Sequence, residues 1–190
     1  MTKIKKTVSV AEANNLGLLI ILPVLVLYIS IFYYTNPNER TLTNISKFIS
    51  QSIDIYGSWV YSTVFLTIII SGIIVHELIH GVCWALYAKK GFKSISFGIV
   101  WQFINPYCHC KEPLKLKNYI FGALMPGFLL GLLPTIYAII FNHIYLFIFD
   151  CFFTIAAGGD LLMVYILRKE SIDTLVQDHP TEPGCYIYNK

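Results

Sequence analysis

Charge is what this chain has least of. Its 190 residues carry 14 Lys and Arg and 11 Asp and Glu, 13% in all, where soluble globular domains run at about 25%. Disordered segments, coiled coils and nucleic-acid-binding surfaces need far more charge, so those classes are excluded and no nucleic-acid partner is expected. Cysteine is also sparse. The five (Cys83, Cys108, Cys110, Cys151, Cys185) are odd in number and lack framework spacing, which excludes a disulfide scaffold and reads as reduced thiols. No internal repeat and no low-complexity tract is present.

Apolar surface, in contrast, is abundant: 56% of residues are hydrophobic, 15% aromatic, and the mean hydropathy is +0.63. A water-soluble domain of this length has too little interior to hide so much. The composition therefore points to an integral membrane protein, read as a single membrane-embedded domain over 1–190 with the lipid bilayer as its first partner. Four runs are long enough to cross roughly 30 Å of hydrocarbon as helices. They extend from Leu16 to Tyr34, Trp59 to Tyr87, Tyr119 to Phe141 and Ile144 to Leu167. Only Asn142 and His143 separate the last two, which predicts an antiparallel pair. The expected fold is an all-α bundle of about four transmembrane helices.

The few cations are sorted by side. Lys3, Lys5 and Lys6 precede the first span; Lys89, Lys90, Lys93, Lys111, Lys115 and Lys117 lie in 88–118; Arg168, Lys169 and Lys190 follow the last span. Arg40 and Lys47 alone fall on the other side. The positive-inside rule then puts both termini and the 88–118 segment in the cytoplasm.

His76-Glu77-Leu78-Ile79-His80 in the second span is an H-E-x-x-H. Chance would place this pattern in about 0.4% of chains with this composition. Its spacing has a mechanical reason: positions i and i+4 lie about 40° apart on a helix, so two imidazoles reach one Zn²⁺. Glu77 falls beside the metal, where it can act as general base. Ionisable groups inside a span are costly, and metal binding offsets that cost.

A third ligand is selected by depth. The motif lies roughly 16 Å from the Lys89 end of its helix, and Asp160 roughly 12 Å from Arg168 at the same face. Asp160 also follows Gly158-Gly159, and Gly72 precedes His76 by one turn, so both helices are small where they must approach. The expected metal ligands are His76, His80 and Asp160, with one Zn²⁺ per chain; a His₂-carboxylate set also suits other first-row ions. Asp150 sits nearer the outer end and reads as interfacial, and His179 as a solvated tail residue. His109, Glu112 and Asn105 in the 88–118 segment stay open as accessory or alternative donors.

That segment alternates Ile95, Phe97, Ile99, Trp101 and Phe103 with smaller or polar residues, which predicts a strand or hairpin, either a lid on the bundle or an edge that pairs with an extended peptide. Cys108-His109-Cys110 could alternatively bind a second metal. In the third span Met125-Pro126-Gly127 and Pro134 predict a kink near the metal.

These residues carry a family resemblance. His76-Glu77-Leu78-Ile79-His80-Gly81, Pro106-Tyr107-Cys108-His109-Cys110-Lys111-Glu112-Pro113 and Ala157-Gly158-Gly159-Asp160 resemble the zincin peptidases among small bacterial membrane proteins, over most of residues 55–168. The layout is more distantly similar to site-2 intramembrane metalloproteases, although here Leu161 follows Asp160 and no Asn or Pro precedes it on that helix. The resemblance implies a bacterial inner-membrane zinc peptidase acting on a membrane or juxtamembrane peptide. The alternative is a non-catalytic scaffold or regulatory protein with a structural metal site, which would need a closed, four-ligand shell.

Overall fold

The computed structural model of the chain describes residues 2–36, 42–101, 105–180 and 182–189. Four helical stretches are long and apolar enough to cross a membrane. The first, α1 (Val10–Thr35), begins six residues before the apolar run. A capping box causes the early start: the Glu12 N–H donates to Ser9 Oγ (3.2 Å) and the Ser9 N–H to Glu12 Oε2 (2.9 Å). A helix not anticipated from the sequence, α2 (Leu42–Tyr56), follows; Ile45, Ile49, Ile53 and Tyr56 recur at helical spacing within it. The second span is α3 (Ser58–Ala85).

The third span is one continuous helix whose middle turn, between the prolines expected to kink it, is π-helical. It consists of α4 (Leu116–Pro126), a π-helical turn (Gly127–Leu132) and α5 (Leu133–Ile140). The fourth is α6 (Ile144–Ala156) and α7 (Gly158–Leu167), broken at Ala157. The turn between spans three and four is closed by Asn142 at φ 57°, a left-handed conformation that Asn tolerates.

Large apolar side chains remain open on the outward faces of the spans, Leu19, Leu22 and Leu27 on α1 and Val64, Phe65 and Ile70 on α3 among them. Such faces suit a lipid surround. Inside, glycines bring helices together. Gly72 receives the Phe153 ring, and a Cβ there would lie 2.3 Å from it. Gly158 abuts Gly17, so the small residues before Asp160 draw α7 against α1 rather than against α3. Asp150 is fully buried and not interfacial, because α6 turns it into the bundle.

The expected hairpin forms from β2 (Ile95–Val100) and β3 (Asn105–Cys110), antiparallel, with Phe97 opposite Cys108. Phe103 of the alternating run lies outside the described residues. The β-structure is larger than one insertion, however. A second, four-stranded antiparallel sheet has the order β1-β6-β5-β4, built from β1 (Thr2–Thr7), β4 (Leu114–Lys115), β5 (Leu175–Asp178) and β6 (Gly184–Asn189). Both chain ends thus fold into a cap at the end of the bundle where α1 starts, α3 ends, α4 starts and α7 ends. Its core joins Leu114, Leu116, Val176, Cys185 and Ile187 to Trp84 and Leu167 of the helices. His179 is buried there and accepts the Glu182 N–H at Nδ1 (3.0 Å).

Candidate metal centre

Three donors converge between α3 and α7. His76 and His80 are buried on one face of α3, a turn apart, and Asp160 enters from the first turn of α7. One ligand atom from each lies within 4.8 Å of the others. Asp160 Oδ2 is 3.3 Å from His76 Nε2, and Oδ1 is 3.2 Å from His80 Nε2.

The hydrogen bonding tests whether a metal fits. His80 Nδ1 faces the Gly122 carbonyl at 2.9 Å. A carbonyl only accepts, so Nδ1 carries a proton, which leaves Nε2 as the atom aimed at Asp160 Oδ1. In the neutral ring, the form that ligates a metal, Nε2 presents a lone pair to a cation shared with the carboxylate. Asp160 Oδ2 and His76 Nδ1 are buried with no hydrogen-bond partner. Zinc arms of about 2.0–2.1 Å in a tetrahedron set adjacent donors about 3.3–3.4 Å apart, close to both measured separations. The residues present fit a first-row metal ion.

The second layer is aromatic. Trp84, one turn beyond His80, stacks on its ring (centroids 5.0 Å, 15°) and on Tyr119 of α4 (5.3 Å, 11°). Trp84 Nε1 donates to the Tyr119 carbonyl (3.0 Å). Gly122 is required beneath this stack, since a Cβ there would lie 2.2 Å from Trp84 Nε1. The Tyr119 hydroxyl donates to Asp178 Oδ1 (2.6 Å), and the Cys110 N–H to Asp178 Oδ2 (2.9 Å). One half-buried carboxylate on β5 thereby ties α4 to β3. Burial raises its pKa above the ordinary carboxylate value, while both hydrogen bonds favour the ionised form.

Glu77 is half-buried beside the two histidines, and the Cys108 backbone approaches its carboxylate from β3. Lys111 N–H bonds back to Ser94 at the β2 side, so by strand alternation the N–H groups of Cys108 and Cys110 point to the other edge, towards Glu77 and Asp178. The Phe97 ring covers Gly81, where a Cβ would lie 2.6 Å from it. Below the metal donors lies a cavity of about 320 Å³, lined by Ile21, Tyr28, Leu124, Phe128 and Thr154 and reaching Asp160.

The remaining candidates stand elsewhere. Glu112 caps the loop after α3, accepting the Lys89 N–H (2.8 Å) and the Ser94 hydroxyl (2.7 Å). His109 packs on Tyr107 (4.4 Å), and burial holds its pKa below the ordinary value. Asn105 opens β3, but its side chain lies outside the described residues. Cys108 and Cys110 are buried in the apolar cap, and burial lifts the Cys110 thiol to about 11; among the described residues the one convergent donor group is His76, His80 and Asp160. Trp84, Tyr119, Gly122 and Asp178 were not anticipated; Trp84 alone had a local signal, its i+4 spacing from His80.

This arrangement, a helix-borne His pair with an adjacent carboxylate and an acidic group from another helix, is one that could hold a metal ion. The family model described as Putative zincin peptidase matches residues 69–174, more than half of the chain, and the protein belongs to that family. Neither the curated proteins nor the solved structures gave a match.

Proposed function

We propose that the protein is a membrane-embedded zinc metallopeptidase, with His76, His80 and Asp160 holding the ion and Glu77 as general base. The observation that carries this reading is the convergence of His76, His80 and Asp160, one ligand atom of each within 4.8 Å of the others, with His80 Nδ1 held by the Gly122 carbonyl. Among the described residues three donors converge rather than four, which supports a catalytic centre with an open position over a closed structural site.

A bound Zn²⁺ supplies Lewis acidity, making a water nucleophilic near neutral pH and polarising a carbonyl. The chain's residues do the rest. The Gly122 carbonyl and Trp84 fix the His80 ring and its tautomer. Glu77 takes the proton of the attacking water at a carboxylate oxygen and hands it to the leaving amine. The hairpin roofs the site, and the outer edge of β2, on the side away from Glu77 and Asp178, offers backbone groups to an extended peptide. The apolar cavity at Asp160 accommodates a large aliphatic or aromatic side chain. The substrate class is therefore a membrane or juxtamembrane peptide, reached from the cytoplasmic side in the orientation that the lysines predict.

Metal analysis of detergent-purified protein tests the reading. We expect about one zinc per chain in the wild type and loss of it in His80→Ala and in Asp160→Ala. A metal-free wild type, prepared without chelators, would overturn the proposal. Zinc retained in Asp160→Ala would remove Asp160 from the ligand set.

A further inference from the structure

A second buried carboxylate lies away from the metal centre. Asp150 on α6 has no solvent exposure, and neither of its oxygens has a hydrogen-bond partner. Two hydroxyls are buried without partners in the same part of the bundle, Thr135 Oγ1 and Thr154 Oγ1. Helical threonines normally bond back to the carbonyl four residues earlier, as Thr63 does to Trp59 (2.8 Å) and Thr67 to Thr63 (2.7 Å). Thr135 and Thr154 do not.

The helix hairpin sets the three at neighbouring levels. The Thr154 hydroxyl lies against Gly131, 2.7 Å from where a Cβ would stand. Ala138 and Phe147 share a buried cluster with Phe32. In an antiparallel pair these two contacts set Thr135 level with Asp150, one turn along each helix from Gly131 and Thr154. Pro134 has no N–H, so one carbonyl of the preceding π-helical turn lacks its helical donor. Thr154 also lines the cavity that reaches Asp160, giving a route in. Tyr28 and Cys151 are the neighbouring titratable groups, and among the described residues no ion pair reaches Asp150.

We propose that Asp150, Thr135 and Thr154, with the carbonyl freed before Pro134, form a Na⁺ site in the bundle. The donors are all oxygen, which disfavours zinc and its neighbours. One carboxylate balances one monovalent charge, leaving the buried site neutral, where a divalent ion would leave it charged. Unwound helical segments bind Na⁺ through such carbonyls and hydroxyls. The site is independent of the metallopeptidase reading.

The test is the melting temperature of detergent-purified full-length protein in NaCl against N-methyl-D-glucamine chloride at equal ionic strength and pH, with ²²Na⁺ binding beside it. The expected result is a rise of about 5 °C at saturating Na⁺, with saturable ²²Na⁺ binding, both lost in Asp150→Asn and both kept in His80→Ala. Should Asp150→Asn fail to fold, Thr135→Val keeps the carboxylate and the shape; its Na⁺ midpoint is expected to rise about tenfold. Equal melting in the two salts would overturn the proposal in favour of a protonated Asp150 or a buried water. A Na⁺ effect unchanged in Asp150→Asn and in Thr135→Val would overturn it too.

Discussion

In the proposed mechanism Glu77 stands where a proton must move, and its role differs in kind from that of its neighbours. His76 and His80 would hold the ion, whereas Glu77 would transfer the proton. Glu77→Gln keeps the size and removes the basic oxygen, so zinc content is expected to stay at the wild-type level while kcat for a cleaved membrane peptide falls about 10²–10⁴-fold. Turnover near the wild-type rate in that variant would reassign the base. His109 makes a pH prediction of the opposite sort, on stability. Burial lowers its folded pKa below the ordinary 6.5, so between the two values the unfolded chain binds the proton and the folded one does not. Its share of stability is complete above about pH 6.5 and is lost as pH falls through the folded pKa. The protection factors of the β3 amides, with the intrinsic pH dependence of exchange divided out, should therefore fall on acidification, and His109→Phe should flatten that response. The convergence of His76, His80 and Asp160 was legible in the sequence for physical reasons: helical geometry converts spacing into a shared face, and the bilayer converts position into depth. Asp150 was misjudged from the same depth estimate, because depth says nothing of which way a side chain turns.

At the scale of elements, the site depends on how closely α4 lies against α3. Gly122 lets Trp84 sit flat between His80 and Tyr119, and its carbonyl holds the His80 N–H. Gly122→Val is expected to push Trp84 and tilt the His80 ring while sparing all three donors, weakening zinc about 10–100-fold, the usual cost of disturbing a histidine's outer partner. Competition with a chelator of known affinity measures it; unaltered affinity would show that the stack does not orient the ligand. The spans were readable as apolar runs, and the place of the third span's irregular turn was readable from Pro126, Gly127 and Pro134. The β1-β6-β5-β4 sheet was not. Its strands are short, β1 carries Lys3, Lys5 and Lys6, and its pairing joins residues such as Thr2 and Asn189 across the whole chain. Local alternation carries no information about such a partner, so the segments that form β1, β5 and β6 read only as tails flanking the spans.

For the whole molecule, the consequence is that the chain ends are part of the machinery. Asp178, on a strand beyond the last span, receives the Tyr119 hydroxyl and the Cys110 N–H, so one carboxylate sets both the foot of the aromatic stack and the edge of the hairpin over Glu77. Removing it strands two buried donors at about 1–3 kcal/mol each, and that cost falls on the registry between cap and bundle rather than on the metal donors. Asp178→Ala is therefore expected to retain zinc, to melt several degrees lower, and to lose kcat as the hairpin drifts from Glu77. Asp178→Asn, which keeps one acceptor oxygen, should fall between the two. Measuring zinc, melting temperature and peptide cleavage on the same preparations separates the possibilities: loss of zinc in Asp178→Ala would place the cap's influence on the ligands, and cleavage at the wild-type rate would show that the cap stabilises the fold without positioning the base.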